Sequence, residues 1–125
     1  MDKQVIRTDR AAAPGGHYSQ GMKWGNLAFT AGQGGTNPAT GEMAPDIKGQ
    51  TRQALENIKA ILEEAGTSLD NCLKATVFLR DFNDFSAMNE VYATYFPKDP
   101  PVRSIGSADF PGEMIVEIDV IAYIP

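Results

Sequence analysis

The final segment, MIVEIDVIAYIP (114–125), alternates its side chains with the two-residue period of a β-strand. One face carries only apolar residues, namely Met114, Val116, Ile118, Val120, Ala122 and Ile124. The other face mixes apolar side chains with two carboxylates, Glu117 and Asp119. Charges in such a segment are costly unless they are paired, reach water or act on a ligand. The strand therefore predicts a sheet with one face under helices and a second face buried against another subunit.

Two upstream segments have a helical period. DIKGQTRQALENIKAILEEAG (46–66) repeats apolar or small residues at intervals of three and four, and Gly66 is suited to end the helix. NDFSAMNEVYATYF (83–96) predicts a shorter helix capped by Asn83 or Asp84. These helices are long enough to cover one face of a small sheet.

Further strands are predicted at NLAFTA (26–31) and LKATVFLR (73–80). The second of these places Leu73 on the same face as Ala75, Val77 and Leu79. The predicted order is β-β-α-β-α-β-β in a single domain, residues 1–125. The predicted fold class is α/β (α+β), a mixed sheet with both helices packed on one face.

Composition restricts the possible functions. The net charge is −5 and the basic residues are scattered singly, which argues against nucleic-acid binding. A single cysteine, Cys72, excludes an internal disulfide and fits a reducing compartment. Because the chain has no long apolar run and no signal-like start, we expect a soluble cytoplasmic protein without membrane contact. One histidine and one cysteine cannot form a cysteine/histidine metal site, and no nucleotide-binding motif is present, so neither a metal nor a cofactor is expected.

Four stretches together resemble the RidA/YjgF family of enamine/imine deaminases. They are GHYSQ with GNLAFTAGQ, NPATGE running into QTRQALENIKAILEEAG, KATVFLRDFNDFSAMNEVY, and VRS…P…VEIDVIA. The resemblance covers nearly the whole chain and implies a chorismate-mutase-like fold. It also implies a homotrimer whose sheets form a central barrel, with active sites between subunits. The implied reaction is cofactor-free hydrolysis of 2-enamine or 2-imine acids, such as 2-aminoacrylate, to 2-keto acids and ammonia.

The resemblance assigns a role to five positions. Arg103 matches the arginine that binds the substrate carboxylate, for which a guanidinium fork is well shaped. Glu117 matches the acid near the reacting imine, where it could orient water and move a proton. Tyr18 matches a catalytic-pocket tyrosine, and Gly32 a backbone N–H that holds the carboxylate. Asn89 matches a position of the second helix near the cleft, where helix packing is an equally good interpretation.

Two substrate-binding positions depart from the family pattern. Ala31 stands where the family often has serine, so a hydroxyl is lost, and Ile105 stands where it often has cysteine. The backbone carbonyl of Ile105 remains able to hold a water. His17 replaces a proline and is interpreted as a solvated loop residue.

Other interpretations remain open from the sequence. Arg103 could instead form a structural ion pair with Asp109, Asp119 or another acid. The protein could be a ribonuclease or translation inhibitor, although its acidity and single histidine argue against this. It could also be a non-enzymatic interaction or holdase protein. A fourth possibility keeps the chemistry but uses an aminomuconate-type substrate, which depends on pocket size.

Overall fold

A computed structural model describes residues 1–125 and contains one six-stranded sheet and two α-helices. The strands are β1 (Gln4–Ile6), β2 (Gly21–Trp24), β3 (Leu27–Thr30), β4 (Cys72–Leu79), β5 (Val102–Ser107) and β6 (Val116–Tyr123). Their spatial order is β1-β2-β3-β6-β4-β5, and only β4 and β5 pair in parallel. The predicted mixed sheet is confirmed. The predicted element order is one strand short, because β1 has three residues and is too short to show an alternation.

The helices are α1 (Ile47–Ala65) and α2 (Phe85–Tyr95), with short 3₁₀ turns at Leu69–Asn71 and Phe82–Asp84. Helix α1 begins where the Asp46 carboxylate accepts the Gly49 N–H at 3.4 Å. It ends at Gly66, whose φ of 90° is left-handed, as predicted for a C-cap. Both helices pack on one face of the sheet, where their apolar side chains and those of β4 and β6 form a single buried core.

Strand β6 lies in the interior of the sheet between β3 and β4. Val116, Ile118, Val120 and Ala122 are buried under the helices, whereas the alternate residues are half-buried or exposed. The predicted division of this strand into two faces is therefore confirmed. It places Glu117 on the face that the helices leave uncovered.

The prediction for the start of β4 is wrong at Leu73. This side chain is 46% exposed, whereas Cys72 is buried. The cause is a register shift between Cys72 and Lys74 in the pairing with β6, which offsets the alternation by one position. From Ala75 onward the predicted face is buried.

The uncovered sheet face has an apolar row across four strands. Val5, Met22, Phe29 and Ile121 are cross-strand neighbours on this face. Val5 is exposed, and the other three are half-buried. Neither helix has the length and apolar character needed to cross a membrane. The expectation that a subunit covers this face stays a prediction.

Candidate active site

Gly32 and Glu117 meet because the loop after β3 runs along β6. Gln33 and Ile118 exchange two backbone hydrogen bonds, with N···O distances of 2.8 and 3.0 Å. This pairing sets Gly32 directly against the Glu117 side chain. A Cβ at Gly32 would lie 2.6 Å from the Glu117 carboxyl carbon, closer than real contacts allow. Any side chain at this position would displace the Glu117 side chain, so the glycine allows the close approach of the backbone to the carboxyl group.

A cavity of about 440 Å³ opens beside this pair. Its lining consists of loop residues and the start of β6: Ala12, Ala13, Gly15, Tyr18, Gly32, Gln33, Gly34, Thr36, Asn37, Pro38, Gly41, Met114 and Glu117. Tyr18 is 52% exposed, and its hydroxyl accepts the Gly15 N–H at 3.0 Å. Three of the predicted site residues, Tyr18, Gly32 and Glu117, are thus brought together.

The Glu117 carboxyl has a higher pKa than an exposed glutamate. Partial burial raises its pKa above the usual value, and the negative charge of Asp119 raises it further. Burial also raises the pKa of Asp119, although the Lys74 ammonium opposes that shift. A carboxyl with a raised pKa is a better proton carrier near neutral pH than an ordinary surface glutamate.

Arg103 lies in a second cluster, between edge strand β5 and helix α2. Its Nη1 donates a hydrogen bond to Asn89 Oδ1 at 2.7 Å. Its Cζ atom lies 4.7 Å from the centre of the Tyr92 ring and 5.7 Å from that of Phe85. Arg103 and Asn89, both predicted site residues, are therefore in direct contact.

Arg103 has no carboxylate partner. The two ion pairs of the chain are Arg10–Glu63 and Lys48–Glu90, so the alternative of a structural pair with Asp109, Asp119 or another acid of the same chain is wrong. A guanidinium has five N–H donors, and the chain uses one of them, toward Asn89. Arg103 is half-buried, and its guanidinium is positioned by Asn89 with donors left to bind an anion.

The two clusters lie on opposite faces of the sheet. Arg103 pairs with Ala75, which in turn pairs with the buried Val120, so its side chain is on the helix-covered face. Glu117 pairs with Phe78 on the uncovered face. The Arg103 and Glu117 side chains therefore leave the sheet on opposite sides.

The remaining predicted residues lie outside the cavity. Ile105 packs against the core on the Arg103 side of β5. Ala31 is half-buried, and its N–H donates to the Gln20 carbonyl at 2.8 Å. Sequence analysis missed Phe85, which fits the apolar stripe of α2, and Met114, which fits the apolar face of the final strand. Both residues fit a regular pattern of core positions, so the sequence did not indicate that they lie beside a candidate site.

Neither a metal cluster nor a reactive thiol adds to the site. No three His, Cys, Asp or Glu side chains lie together as potential metal ligands. Cys72 is buried, and its pKa is raised to about 12 by burial and by the nearby Asp70 charge. Such a thiol stays protonated and is a poor nucleophile. His17 is exposed in the loop before Tyr18.

The family model described as Endoribonuclease L-PSP matches residues 8–124. The chain belongs to this family. A RutC family protein from Pyrococcus horikoshii is 53% identical over 123 residues, covering 97% of this chain and 98% of that protein. TdcF of Escherichia coli, named as a proposed reactive intermediate deaminase, is 42% identical over 124 residues, with 96% of each chain covered.

Solved structures of L-PSP family members have the same fold. RidA from an Antarctic Psychrobacter aligns with a TM-score of 0.93 at 42% identity, covering 97% of this chain and 99% of that chain. TdcF of E. coli, solved with bound serine, aligns with a TM-score of 0.92 at 39% identity, covering 98% and 99%. The resemblance to RidA/YjgF proteins and the predicted fold class are thereby confirmed.

Proposed function

We propose that this protein is an imine deaminase that hydrolyses 2-enamine or 2-imine acids to 2-keto acids and ammonia. The observation that carries the proposal is Arg103, a half-buried guanidinium that Asn89 and Tyr92 hold without any carboxylate partner. A 2-imino acid offers the planar carboxylate that this guanidinium lacks. The name of TdcF and the serine bound in its structure support a small amino-acid-like substrate.

In the proposed reaction, Arg103 holds the substrate carboxylate and Glu117 faces the adjacent C=N carbon. The Glu117 carboxylate takes a proton from water as the water oxygen bonds to C2, which gives a carbinolamine. The protonated Glu117 then returns this proton to the nitrogen, and the C–N bond breaks so that ammonia leaves. The regenerated Glu117 carboxylate takes the hydroxyl proton as the C2–O bond becomes a ketone, and it passes this proton to the departing ammonia. An enamine substrate first gains a proton from solvent water at C3 and becomes the cationic imine. A carboxylate suits a cationic imine, whereas it would repel an RNA phosphate.

The proposed active site is shared between subunits of a homotrimer. Two features support this arrangement: Arg103 and Glu117 lie on opposite faces of one chain, and the face bearing Glu117 exposes an apolar row. If a second copy packs its β5 edge against that face, its Arg103 can reach the cavity beside Glu117. Exposed apolar sheet faces of this kind are typical of subunit interfaces.

The assembly has a direct test. We expect light scattering at micromolar concentration to give a mass three times that of the 13.5 kDa chain. Replacing Phe29 with aspartate should shift the mass toward that of one chain, because this residue lies in the centre of the apolar row and a buried unpaired charge is costly. A wild-type protein with the mass of one chain would contradict the shared site.

A mixture of two inactive variants tests whether the site is shared between subunits. Arg103→Ala and Glu117→Gln chains, refolded together in equal amounts, should recover about one quarter of wild-type activity, because each site draws its two groups from independently chosen subunits. Sites contained in one chain would give no recovery at all.

The activity itself is tested with 2-aminoacrylate made in place by a serine dehydratase. We expect the protein to accelerate ammonia release above the rate of spontaneous hydrolysis in water. The dehydratase alone, and the dehydratase with heat-denatured protein, are the controls. An unchanged rate of ammonia release at saturating protein would refute the deaminase proposal.

A further inference from the structure

One face of helix α2 surrounds the Arg103 guanidinium. Phe85, Asn89 and Tyr92 follow one another at intervals of four and three residues, so their side chains lie on the same side of the helix. The Arg103 Cζ atom lies 4.7 Å from the centre of the Tyr92 ring and 5.7 Å from that of Phe85. Asn89 accepts a hydrogen bond from Nη1. Three side chains of a single helix are therefore arranged around one cation.

The Tyr92 ring is itself held in place. Tyr92 is 5% exposed, and its ring packs against that of Phe96 with centroids 4.7 Å apart. Its hydroxyl is buried and has no hydrogen-bond partner in the chain. Burial raises the pKa of Tyr92, although the Arg103 charge opposes this shift, so the phenol stays neutral. The contact with Arg103 is therefore a cation–π contact with the ring and not an ion pair with a tyrosinate.

The hydrogen bond and the ring restrain different motions of the guanidinium. Asn89 fixes the position of Nη1 but allows the group to turn about that contact. The Tyr92 ring lies against one side of the guanidinium and limits this rotation. An arginine side chain has many rotamers, and restricting them in advance reduces the entropy that is lost when a ligand binds. The remaining N–H donors therefore keep one direction before an anion arrives.

We propose that Tyr92 is a positioning residue, whose ring holds the Arg103 guanidinium in the orientation that binds the substrate carboxylate. This inference rests on the proposed deaminase function and concerns the same carboxylate anchor. Tyr92 acts only through Arg103, because its hydroxyl is buried and its ring faces the cation. The effect of removing the ring should therefore disappear in a protein that lacks Arg103.

The main measurement is the dissociation constant of pyruvate, a 2-keto acid with a planar carboxylate, by titration calorimetry. Tyr92→Leu should weaken pyruvate binding ~10- to 30-fold, as expected for the loss of a desolvated cation–π contact. In imine deamination it should raise KM by a similar factor and change kcat by less than ~3-fold. Tyr92→Phe should bind pyruvate within ~3-fold of wild type, because it keeps the ring and removes only the unpaired hydroxyl.

Phe96→Leu is the matched control. It removes a similarly buried ring that contacts Tyr92 but does not contact Arg103. We expect it to lower the thermal unfolding midpoint about as much as Tyr92→Leu, and to leave pyruvate binding within ~3-fold of wild type. If Tyr92→Leu folds poorly, Tyr92→Met retains more of the volume and should show the same loss of binding.

A double variant tests whether Tyr92 acts through Arg103. Adding Tyr92→Leu to Arg103→Ala should cause no further loss of deaminase activity, because the group that the ring positions is already absent. A further loss would overturn the inference. Wild-type pyruvate binding by the folded leucine or methionine variant would also overturn it, as would an equal loss of binding in Phe96→Leu, and in each case the deaminase function would stand. If the wild-type protein neither binds pyruvate nor accelerates ammonia release, the proposed function itself fails.

Discussion

Replacing Arg103 with alanine should lower kcat/KM for imine deamination by ~10²-fold. The guanidinium uses one donor within the chain and has no carboxylate partner, so its remaining donors are free for the substrate. A charge-assisted bidentate contact is worth about 3 kcal/mol, which corresponds to this factor. The loss should appear as slower ammonia release from 2-aminoacrylate and from imines made by an amino acid oxidase.

Two further variants distinguish the loss of the carboxylate anchor from a general loss of folding or activity. Arg103→Lys should recover only part of the activity, because an ammonium group cannot reproduce the planar fork. Arg52→Ala, an exposed arginine of α1 outside both ion pairs, should retain wild-type activity. The thermal unfolding midpoint of Arg103→Ala should fall by only a few degrees, because the variant loses the hydrogen bond to Asn89 and the contacts with Tyr92 and Phe85 but no ion pair. Full activity in this variant would place the carboxylate anchor elsewhere.

Replacing Glu117 with glutamine should lower turnover by ~10²- to 10⁴-fold, because the amide keeps the shape of the carboxyl group but cannot carry a proton. The wild-type pH profile provides a second measurement. Since burial and Asp119 raise the Glu117 pKa, activity should fall as pH decreases through that raised pKa and the base becomes protonated. The residual activity of Glu117→Gln should lack this limb. A variant with the wild-type limb would assign the titrating group to another residue.

Asp119→Asn is the matched control on the same strand and face. It should keep most of the activity, because the Asp119 carboxyl is absent from the cavity lining. Removing its negative charge should lower the Glu117 pKa, so the acidic limb should move to lower pH. A shift to higher pH would contradict the assigned cause.

Local periodicity predicted much of the fold. The alternation in 114–124 correctly separated buried Val116 and Ile118 from Glu117, because adjacent residues of a strand point to opposite faces. The three- and four-residue spacing before Gly66 predicted α1 and its end. The same reasoning failed at Leu73, because a bulge depends on how two strands pair. The residue pattern of either strand alone does not indicate it. The resemblance to RidA/YjgF proteins added the family, which the comparisons confirm.

The sequence by itself determined the elements, the two faces of β6 and a short set of candidate residues. Only the tertiary structure decided how those residues group. Glu117 meets Gly32 because a loop pairs with β6 across more than eighty positions of chain, and Met114 reaches Gly34 because Gln50 ties its segment to α1. Arg103 and Glu117 are separated because β5 joins the sheet beside β4 in one particular register. Periodicity states which residues of one element share a face, whereas strand order and register arise from long-range packing and hydrogen bonding.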